Sequence, residues 1–97
     1  MQIIARKTLR DFSDRHLQAK PGLDAWYHEV KRTEWQRLSD VKTLYPKARL
    51  VGKDRVIYNI ANNRYRLVVK IDYAAGIVFI RFVGTHKEYD RINVEEV

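Results

Sequence analysis

Ninety-seven residues with no cysteine exclude a disulfide framework and any cysteine-based zinc site, and they predict one domain over 1–97. Hydrophobic residues at 45% and charged residues at 32% exclude a disordered tail. The apolar run near Met1–Lys7 is too short for a signal peptide or a membrane span, so a cytoplasmic protein without membrane attachment is expected.

The formal charge of +7 is uneven along the chain. Residues 1–41 sum to +2, residues 42–81 to +7 and residues 82–97 to −2. A basic excess this local points to a polyanion, with a merely solubilising surface as the alternative that charge alone leaves open.

In chain order, Gln2–Ala5 reads as a short strand. Thr8, with Asp11 three residues on, reads as a helix N-cap and its box partner, followed by Leu9, Phe12 and His16 at helical spacing. Lys20-Pro21-Gly22 ends that helix and opens another, whose apolar stripe is Leu23, Trp26, Tyr27 and Val30. Ser39-Asp40 offers a further cap before Val41, Leu44 and Tyr45, and Pro46 ends that piece.

From residue 49 the period changes to alternation. Val56, Tyr58 and Ile60 alternate with Arg55, Ile57 and Asn59, and Asn62-Asn63 is a turn signal. Tyr65, Leu67, Val69 and Ile71 then alternate with Arg64, Arg66, Val68 and Lys70. Ala74-Ala75-Gly76 turns the chain into Ile77–Val83, apolar at nearly every position but Arg81, as suits an inner strand. No repeat or linker interrupts this order. The expected fold is α+β: an N-terminal strand and two to three helices packed on one face of a four-stranded, mostly antiparallel sheet.

A two-residue loop at Asn62-Asn63 pairs Ala61 with Arg64, and sets Asn59 opposite Arg66, Ile57 opposite Val68 and Arg55 opposite Lys70. Val56, Tyr58, Ile60, Tyr65, Leu67, Val69 and Ile71 then form an oily face against the helices. With a two-residue loop at the next hairpin, Val78, Ile80 and Phe82 join them, while Arg81 joins Arg64, Arg66 and Lys70. Like charges opposed across strands cost ~0.2–1 kcal/mol a pair. A solvated face would intersperse acids, yet only Asp72 falls on this one. A bound anion explains the pattern better.

Past the last strand, Gly84-Thr85-His86-Lys87-Glu88-Tyr89-Asp90 supplies an imidazole, an ammonium, a carboxylate and a phenol. Cleavage of RNA through its own 2′-OH needs a base, cations for charge building on the phosphate, and an acid for the departing 5′-oxygen. His86 carries an imidazole, the side chain suited to either proton role. Tyr89 suits the base if nearby cations lower its pKa, or stacking on a nucleobase. Arg66, Lys70 and Arg81 suit the electrostatic part.

Taken alone, His-x-x-Tyr is also an ordinary surface turn. His16 reads as packing and His28 as exposed. Trp26 and Trp35 read as core or partner-binding aromatics, and Glu95-Glu96 as a solvated tail. No glycine-rich phosphate loop is present and the three histidines lack metal-ligand spacing, so neither metal nor cofactor is expected.

The run Val56-Ile57-Tyr58-Asn59-Ile60, then Asn62-Asn63-Arg64-Tyr65-Arg66-Leu67-Val68-Val69-Lys70-Ile71, then Arg81 and Thr85-His86-Lys87-Glu88-Tyr89-Asp90, resembles HigB-type toxins of the RelE-like superfamily. The resemblance spans essentially the whole chain and implies a RelE-like fold. It also implies an mRNA endoribonuclease acting on messages at the ribosome, without metal, leaving a 2′,3′-cyclic phosphate and a 5′-hydroxyl. It further implies a helix-turn-helix antitoxin of the HigA type, with operator DNA bound only through the toxin–antitoxin complex. The matching positions are Arg64, Arg66, Lys70, Arg81, His86 and Tyr89. Lys53 and Arg55 stand in for basic residues that relatives place ahead of the sheet, and Lys87 joins them in RNA binding. Two other functions fit the residues: a non-catalytic RNA- or ribosome-binding module using the same face, and a protein whose charge docks an acidic partner.

Overall fold

The computed structural model describes every residue, Met1–Val97. Alternation has done what the spacing requires: β3 (Arg55–Ile60) and β4 (Tyr65–Asp72) pair antiparallel, with Asn59 opposite Arg66, Ile57 opposite Val68 and Arg55 opposite Lys70. Ala61, Asn62 and Asn63 take φ of 54, 55 and 70°, the left-handed region that Asn tolerates, and Arg64 N–H donates to the Ala61 carbonyl at 3.2 Å.

β5 (Ile77–Thr85) follows on the far side of β4, and β1 (Gln2–Ile4) lies parallel beside β5. The sheet has five strands rather than the expected four, in the order β1-β5-β4-β3-β2. The additional strand is β2 (Arg49–Val51), antiparallel to β3. Three residues are too few to display an alternation, and Gly52 at φ 64° turns the chain straight back.

The helices are α1 (Arg6–Arg15), α2 (Lys20–Lys31), α3 (Leu38–Leu44) and a single turn, α4 (His86–Tyr89); a 3₁₀ turn, Leu17–Ala19, joins α1 to α2. Leu9 and Phe12 of α1, Leu23, Trp26 and Val30 of α2 and Val41 of α3 share one cluster of 17 buried residues with Val56, Tyr58, Ile60, Leu67, Val69, Ile71 and Val78. The oily face is therefore the helix-covered face. Each such side chain contributes roughly 1.5–3 kcal/mol by burial.

Two cap assignments fail. α1 begins at Arg6, so Thr8 lies inside it, and Asp11 pairs with Lys7 at 2.7 Å instead of closing a box. α3 begins at Leu38, ahead of Ser39-Asp40; the Asp40 carboxylate accepts from Gln36 N–H at 2.9 Å. No helix is long and apolar enough to cross a membrane.

Candidate nucleic-acid interface

Opposite the helices, β3, β4 and β5 present the charged face. The loop from β4 to β5 has four residues, Tyr73–Gly76, and an even number keeps Val78 and Ile80 on the core side as expected. A bulge then intervenes: Val69 pairs with Ile80 and Val68 with Phe82, leaving Arg81 as the extra residue. Beyond it Val83 and Thr85 fall on the core side, so Arg81 and Phe82 are consecutive residues off that side. Phe82, expected in the core, belongs to the charged face. Arg81 is exposed there and makes no ion pair or hydrogen bond. Its level is that of Val68 and Val69, between Arg66 and Lys70.

The chain after β5 is held by a capping box that does exist. Thr85 Oγ1 accepts from Glu88 N–H at 3.3 Å, and Thr85 N–H donates to the Glu88 carboxylate at 2.9 Å. That backbone donor is the main reason the Glu88 carboxyl lies below its ordinary pKa. Glu88 is thereby a structural acid. A Cβ on Gly84 would stand 2.5 Å from the Phe82 ring, so glycine is what lets that ring and the α4 turn close over β5. The turn carries His86 and Lys87 exposed and Tyr89 half-buried. Tyr89 lies 6.3 Å from the Phe82 ring, and the Arg66 guanidinium stands 5.8 Å from the Tyr89 ring centroid.

The proposed residues thus gather in two groups. Arg66, His86, Lys87 and Tyr89 occupy one end. Arg66 spends hydrogen bonds only on carbonyl oxygens, of Asn63 at 3.1 Å and Tyr65 at 3.4 Å, so its charge has no carboxylate partner. Arg64, expected on the same face, instead lies in the turn before β4 and is tied to the Gln18 side-chain oxygen of the 3₁₀ turn between α1 and α2, because the strand begins one residue later, at Tyr65. Lys70 lies four residues from Arg66 on β4, ~13 Å at strand rise. It faces Asp54 at 3.9 Å, and Arg55 faces the same carboxylate at 3.5 Å. Lys53 precedes them in the β2–β3 turn, exposed and unpaired. Asp54 precedes the strand, so the alternation of β3 gives no sign of it.

The middle of the face holds a second surprise. Ile57 and Val68 are only 4% and 0% exposed, although they point away from the helices and stand outside the main cluster. The chain after α4 crosses this side: Tyr89 is anchored over Arg66, and Arg55 Nε and Nη2 donate to the Val97 backbone oxygen at 3.2 and 2.9 Å. Ile92, Val94 and Val97 are half-buried along the way, whereas Glu95 and Glu96 are exposed as expected. Nothing in the local pattern of residues 90–97 signals this return.

Comparison with known proteins decides the family. The profile described as HigB toxin, the RelE-like toxic component of a toxin–antitoxin system, matches residues 19–92. The chain belongs to the HigB toxin family. It is 27% identical over 93 residues to the mRNA interferase toxin HigB of Escherichia coli K12, covering 93% of this chain and 88% of that protein. The mRNA interferases HigB of Escherichia coli O157:H7 and of Shigella flexneri match to the same extent.

Membership in the HigB family makes this chain the toxic half of a pair and implies an antitoxin partner. Among its phenols, burial pushes the hydroxyls of core Tyr58 and of Tyr45, packed against the core, far up, which keeps them protonated. Tyr89 is the tyrosine placed beside a free arginine on the charged face. His16 stacks on Phe12 at 4.4 Å and packs near Tyr65, Trp26 and Trp35 are core, and His28 is exposed, each as anticipated. No three His, Asp or Glu side chains converge as metal ligands do.

Proposed function

We propose that this HigB-family toxin is an mRNA endoribonuclease that inhibits translation by cutting messages through attack of the ribose 2′-OH on the adjacent phosphodiester. The observation that carries the reading is the Arg66 guanidinium, without a carboxylate partner, 5.8 Å from the Tyr89 ring on the turn that also bears His86. Arg66 and Arg81 meet the negative charge that builds on the phosphate. His86 and Tyr89 divide the two proton transfers, from the 2′-OH and to the departing 5′-oxygen, giving a 2′,3′-cyclic phosphate and a 5′-hydroxyl. Lys70, Arg55, Lys53, Arg64 and Lys87 hold the flanking phosphates, and arginine and lysine rather than a metal ion neutralise them.

The single-domain reading over 1–97 goes with this. So do action on ribosome-bound messages in the cytoplasm, and neutralisation by a HigA-type helix-turn-helix antitoxin through which alone operator DNA is bound. The names of the three relatives support mRNA as the substrate. Primer extension on cellular messages after induction tests the reading. Discrete cuts, with 5′-hydroxyl ends on the downstream fragments, are expected. Translation arrest without cuts would make the chain a non-catalytic RNA- or ribosome-binding module, and 5′-phosphate ends would mean that water, not the 2′-OH, attacks.

A further inference from the structure

At the strip formed by Arg55, Ile57 and Val68 the charged face is already covered, and the end of segment 93–97 reaches Arg55 there. An oxygen sits on the Arg55 Nε and Nη2 donors, at 3.2 and 2.9 Å. Two apolar residues, paired across β3 and β4, are sealed from water beside it. Glu95 shares with Val51, Lys53, Asp54 and Arg55 a hollow of about 370 Å³.

We propose that Arg55, Ile57 and Val68 form a further nucleotide subsite of the RNA track, and that segment 93–97 fills it until RNA displaces it. This rests on the reading of the charged face as the RNA-cleaving surface. A phosphate oxygen takes the place of the Val97 oxygen, and a base or ribose lies over Ile57 and Val68.

One physical point favours the exchange: the segment is self-contained. Glu96 and Val97 N–H both donate to the Asn93 carbonyl, and Glu95 N–H to its side-chain oxygen, at 3.0–3.1 Å. Its hydrogen bonds to the sheet are the two from Arg55, so it leaves as a unit without breaking the strand ladder.

The test is binding of a fluorescently labelled single-stranded RNA to the full chain, read by anisotropy. The native sequence has no cysteine, so V51C/E95C introduces the one possible disulfide, across the hollow that both residues line. The oxidised pair is expected to bind RNA about tenfold more weakly than the reduced pair, with dithiothreitol restoring affinity. E95Q/E96Q is expected to tighten binding by at least about threefold more than D11N/D14N, which changes the net charge equally on the helix side.

Equal affinity in the oxidised and reduced states, or equal effects of the two charge-matched variants, would each overturn the proposal. A lock that alters binding of the antitoxin but not of RNA would overturn it too, and would assign the strip to the protein partner. R66A separates the two levels. If it weakens RNA binding while the lock does not, only the subsite is lost; if neither R66A nor the lock has any effect, the RNA-binding reading of the face is lost.

Discussion

The two ends of the charged face carry similar cations and differ in what the protein has left next to them. At one end Arg66 has carbonyl partners alone and stands over Tyr89, on the turn with His86. At the other, Lys70 and Arg55 converge on Asp54, and Arg55 also holds the Val97 oxygen. A cation with a resident carboxylate is partly neutralised and suits reversible binding. A cation without one, beside groups that move protons, can meet charge as it develops. On the proposed reading the same residue types do different work, with Lys70 on the binding side of the division.

The variant with the largest expected effect removes both ends together. L67A, on the core side of β4 next to Arg66, leaves a cavity beneath the strand and should lower unfolding stability by about 2–5 kcal/mol in urea titrations. A wild-type midpoint would mean that β4 does not anchor the face.

R66A should keep wild-type stability and lose about 10²–10³-fold in single-turnover cleavage, the cost of one transition-state donor at ~2.7–4 kcal/mol. K70A should lose about tenfold or less, mainly through weaker RNA binding. Equal losses would erase the distinction between the ends.

Next come the proton carriers. H86A and Y89F should each slow cleavage by about 10²-fold if both transfer protons. A Y89F effect near unity with a large Y89A effect would assign the ring to stacking.

T85A opens the capping box and should destabilise the α4 turn by about 0.5–2 kcal/mol, seen as faster amide exchange at Glu88 and Tyr89. Cleavage should fall modestly and recover in T85S.

The smallest effect is a pH effect. Because Thr85 N–H holds the folded-state pKa of Glu88 below its ordinary value near 4.5, the box adds stability above that pH. That stability fades as acid titrates the folded carboxyl. NMR shifts of the α4 turn should change on acidification in the wild type, and E88Q should abolish the change.

Much of this was legible in the residues themselves. A strict period of two, joined by an Asn-Asn turn, sets the register of β3 on β4, because a one-residue slip would bury Arg66 and Lys70 and expose Tyr65, Leu67 and Val69. The same local rule put Arg66 on the open face and Leu67 in the core. The Thr-x-x-Glu signature of a capping box is present at Thr85–Glu88, whereas the similar Thr8–Asp11 spacing falls inside helix α1, which starts earlier.

Local patterns could not carry the rest. β2 is three residues long and exists because β3 offers it an edge. The Arg81 bulge moves Phe82 across the sheet; two consecutive residues off the core side defeat any strict alternation, and only pairing with β4 reveals them. The split of one charged face into a free end and an occupied one needs residues 42 apart in sequence, Arg55 and Val97, to meet. Short-range sterics and periodicity settled which side chains share a face, whereas long-range closure decided which of those charges remain unpaired.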